Sequence, residues 1–144
     1  MMRGVMTLEF RPLVDGLSVA PQVTEADIRA AHAAGIRTII NNRPDGEEPG
    51  QLPSADAAAL ASSLGMTYIN LPVTNLTLPA AVPAFADALA SAERPVLAHC
   101  RSGTRSTILW ALAEAKAGLR TRDEILRIAA AAGYDLSGYA ALRD

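Results

Sequence analysis

The chain of 144 residues has little of three things: cysteine, aromatic side chains and net charge. Its single cysteine excludes a disulfide within the chain, and the opening segment MMRGVMTLEF lacks the apolar core of a signal peptide. We therefore expect a cytoplasmic protein. No apolar run approaches the roughly 18 residues that span a bilayer, so we expect no membrane association.

The same scarcities exclude other partners. Aromatic residues make up 4% of the chain, the net charge is -2 and no basic run occurs, so a nucleic acid would find few stacking platforms. One cysteine and two separate histidines supply no metal-ligand set, and we expect neither metal nor cofactor. The length fits a single domain over 1–144, and it leaves the oligomeric state open.

Three segments repeat the order helix, glycine, apolar strand, which is typical of parallel βα units. The predicted helices cover 24–34, 54–64, 79–92, 104–117, 121–132 and a short 137–142, and the predicted strands cover 36–41, 67–71 and 95–99, with edge strands at 8–10 and 17–20. This pattern predicts an α/β fold with a mostly parallel sheet of four or five strands and helices on both faces.

The lone cysteine lies where a buried strand meets a helix, in the segment VLAHCRSGTRS at 96–106. There the backbone N–H groups of 101–105 and the positive end of the helix dipole face the sulfur and stabilise a thiolate. The Arg105 guanidinium suits a tetrahedral oxyanion, and Gly103 permits a turn that a β-carbon would obstruct. We therefore predict that Cys100 is a nucleophile at a water-accessible mouth rather than an inert core residue.

Polar neighbours extend this candidate site. Ser102 and Thr104 add hydroxyl donors, and Arg101 is either a rim charge that recruits anions or a solvated side chain. Adjacent strand residues point to opposite faces, so we expect His99 to orient the loop through hydrogen bonds rather than act as a base. The charged loop 42–53 opens on the same edge, where Arg43 could face a substrate or simply lie in solvent.

Four ordered blocks resemble the DUF442 family, also described as the phosphatase-like domain of beta-lactamase hydrolase-like proteins. They are LSVAPQ at 17–22, IINNRPDGEE at 39–48, YINLPV at 68–73 and LAHCRSGTRSTILW at 97–110. The resemblance implies a fold similar to the protein tyrosine and dual-specificity phosphatases. It also implies that the Ser106 hydroxyl bonds the thiolate, unless that hydroxyl only bonds local backbone. Asn75 stands where those phosphatases carry an aspartate general acid.

Two departures from the phosphatase pattern concern the reaction. Four residues separate Cys100 from Arg105, one fewer than in dual-specificity phosphatases, and the shorter loop resembles that of rhodanese sulfurtransferases. Asn75 cannot donate a proton as a carboxylic acid does, and a missing general acid costs roughly 10² to 10⁴ in rate. Sulfur transfer needs a thiolate, an oxyanion cradle and an acceptor thiol, but no protonated alkoxide.

The sequence therefore favours a sulfurtransferase that carries sulfane sulfur on Cys100 from thiosulfate or a persulfide to a small thiol. One alternative is a phosphatase that acts on phosphotyrosine or small phosphomonoesters through a phosphocysteine. Another is a non-catalytic module that binds an oxyanion or senses oxidants, since an accessible thiolate is readily oxidised.

Overall fold

A five-stranded sheet forms the centre of the computed structural model, which describes residues 10–139. The strand order is β1-β2-β5-β3-β4; β1 runs antiparallel to β2 and all other neighbours are parallel. The strands are β1 Arg11–Val14, β2 Leu17–Ala20, β3 Thr38–Asn41, β4 Thr67–Asn70 and β5 Val96–His99. The predicted mostly parallel sheet is confirmed.

Helices cover both faces of this sheet. They are α1 Glu25–Ala33, α2 Ser54–Ser63, α3 Leu78–Ser91, α4 Thr104–Ala117 and α5 Arg122–Ala131. Side chains alternate along the buried strands: Ile39 and Leu97 pack in a cluster with α1 and α2, while Ile40 and Ala98 pack with α3, α4 and α5. The single α/β domain is thus a three-layer sandwich, as the sequence pattern predicted.

Local signals set the helix ends. The Thr24 hydroxyl accepts from the Asp27 N–H at 3.0 Å while the Asp27 carboxylate accepts from the Thr24 N–H at 2.9 Å. Thr121 and Glu124 form the same reciprocal pair before α5. Both helices thus begin with the capping box that a threonine followed three residues later by an acidic residue predicts from the sequence. The predicted bounds of α4 agree with the structure, and Gly118 ends it in the left-handed region at φ 70°.

The predictions near the two ends of the chain need correction. The segment 17–20 is not an edge strand, because β2 pairs in parallel with β5 and lies inside the sheet. Its other partner is Arg11–Val14 rather than 8–10, of which residues 8 and 9 lie outside the described range. Of the helix predicted over 137–142, residues 137 and 138 form a turn and 140–142 lie outside the described range.

The strand register brings several loops to one edge. His99 at the end of β5 pairs with Ala20 of β2 and with Asn41 of β3, and Asn41 pairs with Asn70 of β4. The carboxyl ends of four parallel strands are therefore level, and the segments that follow them meet where open α/β sheets bind ligands. Cys100 emerges at the centre of this edge.

Candidate active site

The cysteine loop joins β5 to α4. The Gly103 N–H donates to the Cys100 sulfur at 3.1 Å, and Gly103 is also the residue before the first turn of α4. Its φ of 96° lies in the left-handed region that favours glycine. The sulfur thus receives a backbone hydrogen bond at the positive end of a 14-residue helix, which favours negative charge there.

The sulfur itself is closed off from solvent. Cys100 is 0% exposed, so the predicted water-accessible mouth is wrong for this conformation. A polar cavity of about 400 Å³ adjoins the loop, lined by Glu47, Thr74, Asn75, Arg101 and Arg105. A substrate in that cavity reaches the sulfur only when the groups covering it move.

Two residues outside the loop hold its carbonyl groups. The Arg101 carbonyl accepts from the Gln22 N–H at 3.0 Å, and the Ser102 carbonyl accepts from the Tyr134 hydroxyl at 2.9 Å. The Ser102 carbonyl and the Gly103 N–H belong to one trans peptide and point in opposite directions, so the bond from Tyr134 holds the Gly103 N–H toward the sulfur. The sequence analysis missed both anchors; Gln22 at least lies in a recognised block, whereas nothing in the sequence pattern points to Tyr134.

Arg105 uses one edge of its guanidinium for protein contacts. Its Nη1 donates to Glu47 Oε2 and to the Val73 carbonyl, and its Nη2 donates to Glu47 Oε1, all at 2.8 Å. A guanidinium has five N–H groups. The Nε–H and the second Nη2–H share the other edge, which can bind two oxygens of an oxyanion. Hydrogen bonds to Glu47 raise the pKa of Arg105, and the nearby Cys100 raises it further.

Glu47 belongs to the charged loop that the sequence analysis considered as substrate-facing, but its pairing with Arg105 was not predicted. Arg43 Nε donates to Glu47 Oε1 at 2.8 Å, and Arg43 Nη2 donates to Glu48 Oε1 at 3.1 Å. Hydrogen bonds from Arg105, and then from Arg43, lower the pKa of Glu47 to about 2 despite partial desolvation. Glu47 is therefore ionised at neutral pH and fixes the orientation of Arg105.

Arg43 does not line the cavity that Arg105 enters. Its side chain is fully buried, and its Nη1 donates to Gln22 Oε1 at 3.2 Å. It acts instead as the buried counterion of Glu47 and Glu48. The charged loop was weighed against plain solvated surface, and this network shows that its two glutamates are structurally engaged with the cysteine edge.

Ser106 bonds a neighbouring side chain in place of the sulfur. Its hydroxyl donates to Asn42 Oδ1 at 2.8 Å, which leaves no proton for the thiolate bond implied by the resemblance. Asn42 is fully buried; its N–H donates to the His99 carbonyl at 2.8 Å and its Nδ2 to the Leu71 carbonyl at 3.0 Å. Ser106 thus ties the start of α4 to the ends of three strands.

The His99 imidazole is buried, and neither ring nitrogen has a hydrogen-bond partner of good geometry within the described residues. The Cys100 backbone is the polar group that acts on the ring, so the loop-orienting role of His99 stays a prediction. Burial first, and the charge of Arg43 as well, lower its pKa to about 4. The ring is therefore neutral at neutral pH, and strand alternation turns it to the α1 and α2 side, away from Cys100.

The remaining predicted residues lie at the rim. The Ser102 hydroxyl donates to Thr104 Oγ1 at 2.9 Å and accepts from the Thr104 N–H at 3.3 Å, so these hydroxyls bond each other and the first N–H of α4. The Arg101 side chain is 67% exposed, 3.7 Å from Glu48. Asn75 is exposed, and its side chain has no hydrogen-bond partner within 10–139. Arg101 and Asn75 both line the cavity that Arg105 enters.

No cluster of three histidine, cysteine or acidic side chains is placed to hold a metal ion within residues 10–139. None of the helices there combines the length and apolar character needed to cross a membrane.

Solved structures with this architecture include a candidate phosphatase from Neisseria meningitidis. It is 39% identical, has a TM-score of 0.81, and the match covers 89% of this chain and 91% of that one. The core catalytic domain of the PP-IP phosphatase SIW14 from S. cerevisiae shares the fold, with a TM-score of 0.66 at 17% identity over 90% of this chain and 80% of its own. The chain thus has the fold of the protein tyrosine phosphatases.

Sequence relatives agree with these structures. The beta-lactamase hydrolase-like protein of Agrobacterium fabrum is 41% identical over 121 residues, which is 83% of this chain and 28% of the relative. The chain therefore spans little more than a quarter of the length of that relative. Residues 9–117 match the phosphatase-like domain of beta-lactamase hydrolase-like proteins, and the chain belongs to that family.

Proposed function

We propose that the chain is a cysteine-dependent phosphatase-type enzyme that acts on phosphomonoesters. The Cys100 thiolate attacks phosphorus, so that an S–P bond forms while the P–O bond to the leaving group breaks. Water then attacks the phosphocysteine, releasing inorganic phosphate and returning the thiolate. Arg105 binds two of the phosphoryl oxygens through the edge that carries Nε.

The Gly103 N–H at 3.1 Å from the Cys100 sulfur is the observation that carries this proposal. It combines with the dipole of α4 and with Arg105, which approaches the same sulfur. These are fixed donors that need no reorganisation as negative charge builds up. An inert core cysteine would need neither the hydrogen bond nor the guanidinium.

The comparisons change the ranking of the two enzymatic hypotheses. The sequence alone favours sulfur transfer, because the loop between Cys100 and Arg105 is short and because Asn75 cannot act as a general acid. The matched family is described as phosphatase-like, and the Neisseria structure, with 39% identity, is described as a candidate phosphatase. These relatives support the phosphatase alternative more than the sulfurtransferase.

Hydrolysis of an aryl phosphate tests the proposal. We expect turnover that Cys100→Ser abolishes and that Arg105→Lys reduces strongly, since lysine keeps the charge but loses the planar fork. Arg120→Lys is the matched control, because Arg120 pairs with Glu114 away from the cysteine edge. Turnover that survives in Cys100→Ser, or its complete absence in the wild type, would refute a phosphatase.

Sulfur transfer remains the second candidate because of one observation: the four-residue spacing from Cys100 to Arg105, which makes a small ring. The thiolate would attack the sulfane sulfur of thiosulfate, forming one S–S bond and breaking another, with sulfite leaving as an anion. An acceptor thiolate would then remove the outer sulfur. Mass spectrometry after incubation with thiosulfate should show one added sulfur, absent in Cys100→Ser. If both reactions fail while phosphate still binds, the non-catalytic oxyanion module is the remaining interpretation.

A further inference from the structure

The side chains around the cavity define which leaving groups the proposed phosphatase can expel. The cavity residues other than Arg101 and Arg105 are Glu47, Thr74 and Asn75. An attacking sulfur and its leaving group must lie on opposite sides of the phosphorus. Once the groups that cover Cys100 have moved, a leaving group opposite its sulfur would face the cavity and these side chains.

Glu47 cannot give the leaving group a proton. Its two carboxylate oxygens accept three hydrogen bonds from Arg43 and Arg105, each at 2.8 Å. Those bonds hold its pKa at about 2, so a negligible fraction is protonated at neutral pH. Its role is to orient Arg105.

The other acidic residues of the same loop are also engaged. Glu48 lies 3.1 Å from Arg43 and 3.7 Å from Arg101. Asp45 accepts from both the N–H and the hydroxyl of Ser54, at 2.9 and 2.7 Å, at the start of α2. Neither carboxylate lines the cavity that Arg105 enters.

Thr74 and Asn75 remain on the side of the cavity that follows β4. The Thr74 hydroxyl is engaged with Thr77, accepting from the Thr77 N–H at 3.2 Å. Asn75 is free of hydrogen bonds within the described residues and can donate one to a leaving oxygen. An amide can solvate a developing anion, but it does not transfer a proton as a carboxylic acid does.

Resting on the proposed function, we infer that Asn75 restricts this site to substrates whose leaving group departs as a stable anion. Aryl phosphates, acyl phosphates and phosphoanhydrides meet this condition, because phenoxide, carboxylate and phosphate leave with the electron pair of the broken P–O bond and need no proton. Alkyl phosphates do not, because an alkoxide must be protonated as it leaves. The second step consumes water and releases its proton to solvent.

A leaving-group series tests the inference on the full chain. We would measure kcat/KM for aryl phosphates of graded phenol acidity and for one alkyl phosphate, in the wild type, Asn75→Asp and the size-matched control Asn75→Leu. We expect kcat/KM in the wild type to rise steeply with phenol acidity, and the alkyl ester to react at least about 100-fold more slowly than the best aryl ester. Asn75→Asp should flatten the dependence and add a decline of rate at alkaline pH, while Asn75→Leu keeps the steep slope.

The possible results separate the two proposals. Cys100-dependent turnover with a flat leaving-group dependence in the wild type overturns the inference and leaves the phosphatase standing. A steep slope that Asn75→Asp does not change overturns the assignment of Asn75 to the leaving-group side. Absence of Cys100-dependent hydrolysis for every phosphate overturns both proposals together.

Discussion

The buried imidazole of His99 should make the stability of the fold fall in mild acid. Burial lowers its pKa from the ordinary 6.5 to about 4, so the folded chain binds this proton far less readily than the unfolded chain. Well above pH 6.5 the imidazole is unprotonated in both states, and its contribution to the free energy of unfolding is constant. As the pH falls from 6.5 to 4, the unfolded chain gains the proton first, and the free energy of unfolding decreases. At 1.36 kcal/mol per pH unit, the loss is about 3 kcal/mol by pH 4.

Urea unfolding at a series of pH values between 7.5 and 4 measures this loss. We would compare the wild type with His99→Leu, which fills the same buried position without a titrating group, and with His32→Gln on the exposed face of α1. Over this range the free energy of unfolding should fall by about 3 kcal/mol more in the wild type than in His99→Leu, while His32→Gln follows the wild type. Equal pH slopes in wild type and His99→Leu would refute the burial of a neutral imidazole. Glu47 does not confuse the result, because its lowered pKa takes effect below 4.5 and is common to both proteins.

Three further predictions concern the loop. Tyr134→Phe removes the hydrogen bond to the Ser102 carbonyl, so the free energy of unfolding in urea should fall by about 1 kcal/mol. The kcat should fall more than KM rises, and an unchanged kcat would contradict a positioning role. Gly103→Ala places a β-carbon against the Tyr134 hydroxyl at a left-handed backbone position. The fold should lose at least about 1 to 2 kcal/mol of stability, seen as a lower melting temperature, and an unchanged melting temperature would contradict the geometry of the loop. Glu47→Gln leaves one acceptor oxygen for Arg105 in place of two, so one of the bonds that orient its guanidinium is lost. Calorimetry should then show inorganic phosphate binding about fivefold more weakly, from about 1 kcal/mol for that bond, and unchanged or tighter binding would contradict the orienting role.

The sequence was sufficient to predict the sheet, both helix layers and the capping boxes at Thr24 and Thr121, because those features depend on local pattern. It was also sufficient to predict that the loop after β3 opens on the same edge as the cysteine loop after β5, since parallel strands share the direction of their ends. The edge position of 17–20 was wrong because pairing with β5 is a contact between residues about eighty positions apart, which leaves no local signal.

The contacts within the site were harder to predict for the same reason. Strand periodicity placed His99 on the face away from Cys100, but nothing local indicates that its imidazole is unpaired. The Glu47 to Arg105 ion pair joins residues 58 positions apart, and the Ser106 to Asn42 bond joins residues 64 apart. Local periodicity predicts which way a side chain points, whereas its partner depends on the tertiary structure.

The hydrogen bond from the Tyr134 hydroxyl to the loop has a practical consequence for truncating this protein. The family match ends at residue 117, yet Tyr134 lies seventeen positions later, beyond α5, and packs in the core with Ile125 and Leu136. A fragment trimmed to the matched boundary would keep the nucleophile, the guanidinium and every recognised sequence block. It would lose the phenol that anchors the peptide preceding Gly103, so recombinant versions should retain the segment through residue 139.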